Sequence, residues 1–238
     1  MTDWDRYETR ELVVFCYGKA QAELAYQSMN STIDRQEYAR YHYHNAKNLF
    51  DAYVGKLHSP IDFMKSSFEG SEEQNRCIWE IGANVTACVQ SLHAIADTFA
   101  YAMYHALGYK LKQSPLAERK INIYSVMRAL QQTHEHQSLL QEMALLVTGD
   151  DYIYLDALSN HSKHRSLIRP GLWADLKGKK PDPYTLEFEE FSYDKKPYPR
   201  RSILLFLQSE LDRQSLRIHE AGNVLNFVLK SESLRAQL

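Results

Sequence analysis

The stretch from residue 71 to residue 107 constrains the fold more than any other part of the chain. It contains no proline, and its apolar side chains recur at steps of three and four residues, which places them on one face of an α-helix. Two glutamates follow Ser71, a pattern typical of a helix start, and Gly108 is a typical C-terminal cap. We therefore predict one long helix that other helices cover. Its apolar face comprises Cys77, Ile78, Ile81, Val85, Cys88, Leu92, Ile95, Phe99, Met103 and Ala106.

The opposite side of this helix carries a stripe of polar and aromatic side chains. His93 and Asp97 are one helical turn apart, so we expect their side chains to be neighbours on the helix surface. A carboxylate beside an imidazole can hold the ring in one tautomer. The stripe comprises Gln90, His93, Asp97, Tyr101 and Tyr104.

Helical periodicity recurs along most of the remaining chain, with one long interruption before the last helix. Five prolines and two glycines between residues 168 and 199 exclude a long helix there, and residues 185–191 alternate as a strand does. We predict an all-α (mainly) fold, an up-and-down helical bundle in one domain over residues 1–238. A small β-hairpin or extended-loop insertion at about 168–199 precedes its last helix. The other predicted helices cover residues 5–29, 34–57 with Asp34 as N-cap, 121–133, 137–147, about 150–165, and about 199 to beyond 229.

Composition excludes several classes of protein. With 44% hydrophobic and 24% charged residues the chain resembles an ordinary globular protein, and its formal charge of −2 creates no overall basic field for nucleic acid. The three cysteines lack the Cys-x-x-Cys spacing of metal or redox sites. No apolar run approaches the roughly 18 residues of a membrane span, and the acidic N-terminus does not resemble a signal peptide. We expect a cytoplasmic protein that does not enter a membrane.

Chemically versatile side chains cluster in residues 156–165, Asp-Ala-Leu-Ser-Asn-His-Ser-Lys-His-Arg. Winding this segment as a helix places Asn160, His161 and His164 on the same side as Ile153, which should face the core. An unpaired buried polar group costs about 1 to 3 kcal/mol, so these side chains need hydrogen-bond partners. We predict that the polar stripe of the long helix supplies them.

This cluster suits phosphodiester cleavage in RNA without a metal. His164 can act as general acid or base, while Lys163 or Arg165 stabilises the charge on phosphorus. Asn160 would orient the histidine, and Asp97 would hold an imidazole in the required tautomer. The same residues could instead form a buried polar network that fixes the register of the helices.

The segment from Ser159 to His164, together with Ser91-Leu-His93-Ala-Ile-Ala-Asp97, resembles the HEPN (higher eukaryotes and prokaryotes nucleotide-binding) superfamily. The motif of that superfamily is an Arg followed by Asn, Asp or His, a few free residues and a final His. Asn160 and His164 match it, whereas Ser159 stands at the Arg position. The resemblance implies a metal-independent endoribonuclease of a prokaryotic toxin or defence system, or its RNA- or nucleotide-binding component. It also implies a homodimer that an antitoxin or another protein partner could control.

The predicted site follows from the cluster and the resemblance. No metal or other cofactor is expected. One alternative stays open, a non-catalytic helical module for dimerisation or partner binding, which predicts fully buried histidines. A di-metal bundle needs Glu-x-x-His, which the sequence lacks, as it lacks the Gly-x-Ser-x-Gly elbow and the phosphate loop. The predicted catalytic residues are His164, Asn160, Lys163, Asp97 and His93, and the predicted substrate contacts are Arg165, His161 and Tyr101.

Overall fold

The computed structural model describes residues 3–179, 181–235 and 237. Within those residues the predicted mainly α-helical fold is confirmed, with eight α-helices and a small group of antiparallel strands before the last one. The helices are α1 (Arg6–Tyr17), α2 (Lys19–Val54), α3 (Pro60–Phe68), α4 (Glu72–Ala106), α5 (Ile123–Leu130), α6 (Gln137–Leu146), α7 (Asp150–His164) and α8 (Ile203–Arg235). Short 3-10 turns cover Tyr109–Leu111, Glu118–Lys120 and His134–His136.

Two small antiparallel sheets form the predicted insertion ahead of α8, which is thereby confirmed. The strands are β1 (Pro170–Ala174), β2 (Tyr184–Phe188), β3 (Phe191–Tyr193), β4 (Lys196–Tyr198) and β5 (Arg201–Ser202). β1, β2 and β5 form one sheet, in which Leu172 lies opposite Leu186, and β3 pairs with β4. Asp194 and Lys195 make the second hairpin turn, with the positive φ angles (48° and 66°) that a two-residue hairpin loop requires.

Contacts between residues divide the chain into two compact units, each made of separate segments. The first unit contains the described residues within Met1–Gln36, Ala94–Tyr152 and Asp212–Leu238. The second unit contains Glu37–His93 and the described residues within Ile153–Leu211. The prediction of one domain over the whole chain stays a prediction.

The N-terminal helix boundaries differ from the predicted ones. The first helix ends before Gly18, whose φ of 86° favours glycine, and not at about residue 29. α2 then runs without interruption through Asp34, so the prediction of an N-cap at Asp34 is wrong. Met29, Thr32 and Gln36 are buried at helical spacing on both sides of Asp34. Burial of this continuous face outweighs the local capping preference of a single aspartate.

Helix α3 was not predicted, because Ser59-Pro60 reads equally well as the end of the preceding helix. Ser59 Oγ accepts a hydrogen bond from the Asp62 backbone N–H at 3.3 Å, and Pro60 occupies the first helical position, where its missing N–H costs nothing. Phe63 is buried, with its ring 6.3 Å from that of Tyr184 on β2. The dipeptide therefore starts a helix that packs against the small sheet.

The first unit buries Trp4, which precedes the first helix. The Trp4 indole N–H donates to Thr9 Oγ1 at 2.9 Å, and its ring lies edge-on to Phe99 at 5.8 Å. A Cβ atom at position 222 would overlap the Trp4 ring, so the glycine there makes room for it. Thr9 in turn donates to Asn226 Oδ1 on α8. Trp4 is thus an integral part of this unit.

The second unit is built around Tyr154 of α7, which is 2% exposed. Its neighbours come from the strands and the start of α8, so the insertion packs directly on the helix that carries the polar segment. Burial raises the pKa of Tyr154 to about 12. The surrounding groups are Phe188, Phe191, Tyr198, Phe206 and the guanidinium of Arg201.

Within the described part of the chain, none of the helices combines the length and the apolar character that crossing a bilayer demands. All three cysteines are free thiols. Cys77 and Cys88 are buried, and burial raises the pKa of Cys88 to about 12. A thiol with so high a pKa is almost entirely protonated at neutral pH and is a poor nucleophile.

Candidate functional site

The polar segment singled out in the sequence forms the C-terminal half of α7, in the second unit. Leu155 and Leu158 are buried with Tyr154, whereas Ile153 is 42% exposed and His164 is also exposed. The prediction that His164 and Ile153 share a core-facing side is therefore wrong. The aromatic side chains that pack around Tyr154 come from residues 188–206 and set the rotation of α7, which the periodicity of the helix alone does not reveal.

His93 of α4 lies at the centre of the polar contacts. Its Nε2 lies 3.0 Å from Asp156 Oδ1, and its Nδ1 lies 3.3 Å from Lys163 Nζ. A carboxylate only accepts and an ammonium only donates, so Nε2 carries the proton and Nδ1 presents its lone pair. The His93 side chain is 14% exposed, and that of Asp156 is 40% exposed. The imidazole is thus fixed in one tautomer at the edge of the core.

Asn160 completes this group, because its Nδ2 donates to the same Asp156 Oδ1 atom at 3.0 Å. We call His93, Asp156, Asn160 and Lys163 the His93 cluster. One turn away, the buried Ser159 donates its hydroxyl to Gln90 Oε1 at 3.4 Å. Position 159, where the HEPN motif has Arg, is therefore a helix contact that has no room for a long cation.

Asp97 has a different partner from the predicted one. Its Oδ1 accepts a hydrogen bond from the Ile123 backbone N–H at 2.9 Å, in the first unit. The first N–H groups of a helix have no partner within the helix, so Asp97 satisfies one of them at the start of α5. His93 is held by Asp156 instead. Asp156 belongs to the polar segment of the sequence but was not predicted to be a site residue.

The other predicted residues on α7 occupy its exposed end. Within the described residues, the His164 ring makes no hydrogen bond. The Arg165 guanidinium lies 3.5 Å from Asp194 Oδ1 and 5.4 Å from the centre of the Tyr193 ring. Both partners of this ion pair are more than half exposed, so the pair adds little to stability and can be displaced.

His161 and Tyr101, both predicted to contact substrate, bind other parts of the protein. His161 Nδ1 donates to the Ser166 carbonyl at 2.8 Å, and its ring lies edge-on to Phe191 at 5.6 Å. Tyr101 belongs to the first unit, where its hydroxyl donates to Glu118 Oε1 at 3.2 Å. Neither residue belongs to the His93 cluster.

A groove of about 530 Å³ runs along α4 in the second unit, on the face that also carries His93. Residues 167–170 form its other wall, with Arg169 among them, and Trp79 of α4 is 75% exposed there. Thr86, at the near end of the groove, is seven residues before His93, or about 10 Å along the helix. Trp79 was not predicted to be a site residue. The signal in the sequence is a large aromatic residue that lies next to the apolar face of the long helix and is not part of it.

Neither a metal centre nor a known relative identifies the site within the described residues. No group of three or more His, Cys, Asp or Glu side chains in them is arranged to hold a metal ion. No protein-family model, curated protein or solved structure matches the chain. The resemblance to the HEPN superfamily therefore stays a prediction, and function has to be inferred from the geometry of the side chains.

Proposed function

We propose that the His93 cluster cleaves single-stranded RNA without a metal ion, with His93 as the general base. The observation that carries this proposal is the position of the imidazole between a carboxylate and an ammonium at a partly open surface. Nδ1 has a lone pair that can accept the proton of a ribose 2′-hydroxyl. Asp156 would stabilise the imidazolium that forms, as a carboxylate does for other catalytic histidines.

Lys163 would stabilise the negative charge that develops on phosphorus. Its ammonium lies against His93 Nδ1, and its stem is long and exposed. An incoming phosphate would draw the ammonium towards its own oxygens, which frees Nδ1 for the 2′-hydroxyl. Lys163 thus takes the role of the Arg that the HEPN motif has where this chain has Ser159.

The reaction transfers the 2′-hydroxyl proton to His93 Nδ1 while the 2′-oxygen attacks phosphorus and the 5′-oxygen leaves. The leaving oxygen needs a proton, and the products are a 2′,3′-cyclic phosphate and a 5′-hydroxyl. His164, one residue after Lys163 and exposed to solvent, remains the candidate for that acid. Asn160 would keep Asp156 in place through its hydrogen bond to Oδ1.

A local basic segment would attract the RNA backbone. Residues 163–169, Lys-His-Arg-Ser-Leu-Ile-Arg, contain three permanent cations and no acid, although the whole chain has a formal charge of −2. Arg165 would exchange its exposed partner Asp194 for a phosphate. In the neighbouring groove, the exposed Trp79 ring offers a surface on which a base can stack, with Arg169 opposite.

The geometry favours this function over a purely structural polar network. The non-catalytic alternative predicts fully buried histidines, but His164 is exposed and His161 is half-buried. A structural network also gains little from Lys163, because exposed ion contacts contribute about 0 to 1 kcal/mol.

The test is cleavage of end-labelled single-stranded RNA in EDTA by the wild type and two variants. His93→Gln keeps a donor for Asp156 but has no titratable lone pair, so we expect its rate to fall at least about 100-fold. His44→Gln, an exposed histidine of α2 in the same unit, is the matched control and should cleave as the wild type does. Equal cleavage by all three would remove His93 from the mechanism. RNA binding without cleavage by the wild type would leave only a binding function.

A further inference from the structure

A second histidine network lies in the first unit, and it contains none of the residues of the predicted site. His136 is 5% exposed, and its Nε2 lies 3.0 Å from Glu232 Oε1 of α8. The other carboxylate oxygen, Glu232 Oε2, accepts from the Tyr17 hydroxyl at 2.6 Å. The Tyr109 hydroxyl lies 3.0 Å from His136 Nδ1 and donates to it, because Nε2 carries the ring proton. We call these four residues the His136 chain.

Three members of the His136 chain, Tyr17, His136 and Glu232, form one wall of a surface cavity of about 400 Å³. Leu107 and Leu111 supply apolar surface to the same cavity, and Thr133 supplies a hydroxyl. Gly108, with a φ of 63°, closes the end of α4, and the Tyr17 ring packs where a Cβ atom would lie. The volume is within the range of small-molecule sites, about 300 to 1,000 Å³.

Among the described residues that line this cavity, Lys112 is the charged side chain that has no ion-pair partner. Both oxygens of Glu232 are occupied by the His136 chain, and Glu135 pairs with Arg235 at 3.3 Å. The Lys112 ammonium lies 3.7 Å from the centre of the Tyr109 ring and, among the described residues, has no carboxylate within ion-pair distance. Partial desolvation lowers the pKa of Lys112 below its ordinary value, and the charge of the Glu232 carboxylate opposes this shift.

We propose that this cavity binds a small molecule with an anionic head, a carboxylate or a phosphate monoester, on a compact apolar body. The head would lie against the Lys112 ammonium and the Thr133 hydroxyl, and the body against Leu107 and Leu111. The His136 chain holds the wall in shape and carries no unanswered donor of its own. This site is independent of RNA cleavage by the second unit.

The test compares three probes with the same phenyl body by calorimetric titration of the full chain: benzoate, phenyl phosphate and the uncharged benzamide, which has nearly the shape of benzoate. We expect at least one of the anions to bind the wild type about tenfold or more tightly than benzamide does, because only an anion pairs with Lys112. The relative affinity of benzoate and phenyl phosphate distinguishes a carboxylate ligand from a phosphate ligand.

Two substitutions at Lys112 and one control show whether Lys112 causes the preference for anions. Lys112→Met should abolish the preference for the anions, whereas Lys112→Arg should retain it. Lys110→Met, an exposed lysine in the same turn but outside the cavity, should bind the anions as the wild type does. Anion binding that is unchanged in Lys112→Met, or no saturable binding of either anion by the wild type, would overturn the proposal.

Discussion

The His93 cluster and the His136 chain place an imidazole in nearly the same arrangement, yet they suit different roles. In each, Nε2 lies 3.0 Å from a carboxylate oxygen. The partner of Nδ1 differs: an exposed lysine ammonium at His93, and a buried tyrosine hydroxyl at His136. Under the proposed mechanism a substrate phosphate would displace the ammonium, whereas the contact between Tyr109 and His136 is buried. A histidine–carboxylate pair therefore does not by itself identify a catalytic site; under the proposed mechanism, the difference lies in the third partner, which is exposed at His93 and buried at His136.

We expect the largest effect on stability at His136, and a much smaller one at His93. His136→Ala leaves Glu232 and Tyr109 without their buried partner, so we expect a loss of about 2 to 4 kcal/mol in the free energy of unfolding. His93→Ala leaves a carboxylate that is 40% exposed and can be hydrated, so its loss should stay below about 1 kcal/mol. Urea unfolding of both variants measures the difference. Equal losses would contradict the contrast between a buried and a partly open network.

A glycine substitution tests how tightly the His136 chain is packed. Gly108→Ala places a methyl group where the Tyr17 ring lies and strains a positive φ, so we expect a loss of about 2 to 3 kcal/mol and a weaker Tyr17–Glu232 hydrogen bond. Gly149→Ala is the control, because its φ is 95° and its Cβ would meet open space. Thermal unfolding of Gly149→Ala should show about half the loss in the free energy of unfolding, because only the backbone strain contributes. A loss for Gly108→Ala no larger than that of the control would mean that the Tyr17 ring simply moves aside.

At a third histidine we expect a smaller effect on stability, and one that depends on pH. His105 is 2% exposed, its Nδ1 contacts Gln21, and its Nε2 has no partner among the described residues. Burial, with a contribution from Lys110, lowers the pKa of His105 below its ordinary value of 6.5. The unfolded chain therefore binds a proton more readily. The stability that the neutral ring confers is complete above pH 6.5 and is lost as the pH falls through the folded-state pKa.

The check is the free energy of unfolding between about pH 7.5 and pH 5. His105→Gln should lose less stability over this range than the wild type does. His134→Gln, an exposed histidine of the same unit, should follow the wild type. Parallel curves for the wild type and His105→Gln would show that the folded-state pKa of His105 is not lowered.

Secondary-structure elements were predicted correctly where several sequence signals indicate the same boundaries. For α4, periodicity, an acidic start and Gly108 all indicate the same boundaries, and the structure has a helix over Glu72–Ala106. Asp34 led to a wrong helix start, because the capping preference of one residue is weaker than the burial of a continuous face of α2 on both sides of it. Ser59-Pro60 was ambiguous, since such a dipeptide can follow the end of one helix or begin another; here α2 already ends at Val54, and the dipeptide begins α3.

The meeting of the two polar segments was predicted from the sequence, but the individual contacts between them were not. The polar segment of α7 and the histidine of α4 do meet, through Asp156 and Lys163. Spacing along α4 favoured Asp97 as the partner of His93, because a one-turn interval is visible in a sequence and a contact between helices is not. The exposure of His164 likewise depends on Tyr154, whose partners lie about 30 to 50 residues further along the chain.

The most direct test of the account is the single-turnover rate of RNA cleavage by Asp156→Asn. An amide at this position can donate to Nε2 and so favours the tautomer with the proton on Nδ1, which cannot act as a base. We predict a rate about 100-fold or more below that of the wild type, with RNA affinity and stability nearly unchanged. A rate within about threefold of the wild type would contradict the account, because His93 would then not depend on Asp156 for its tautomer.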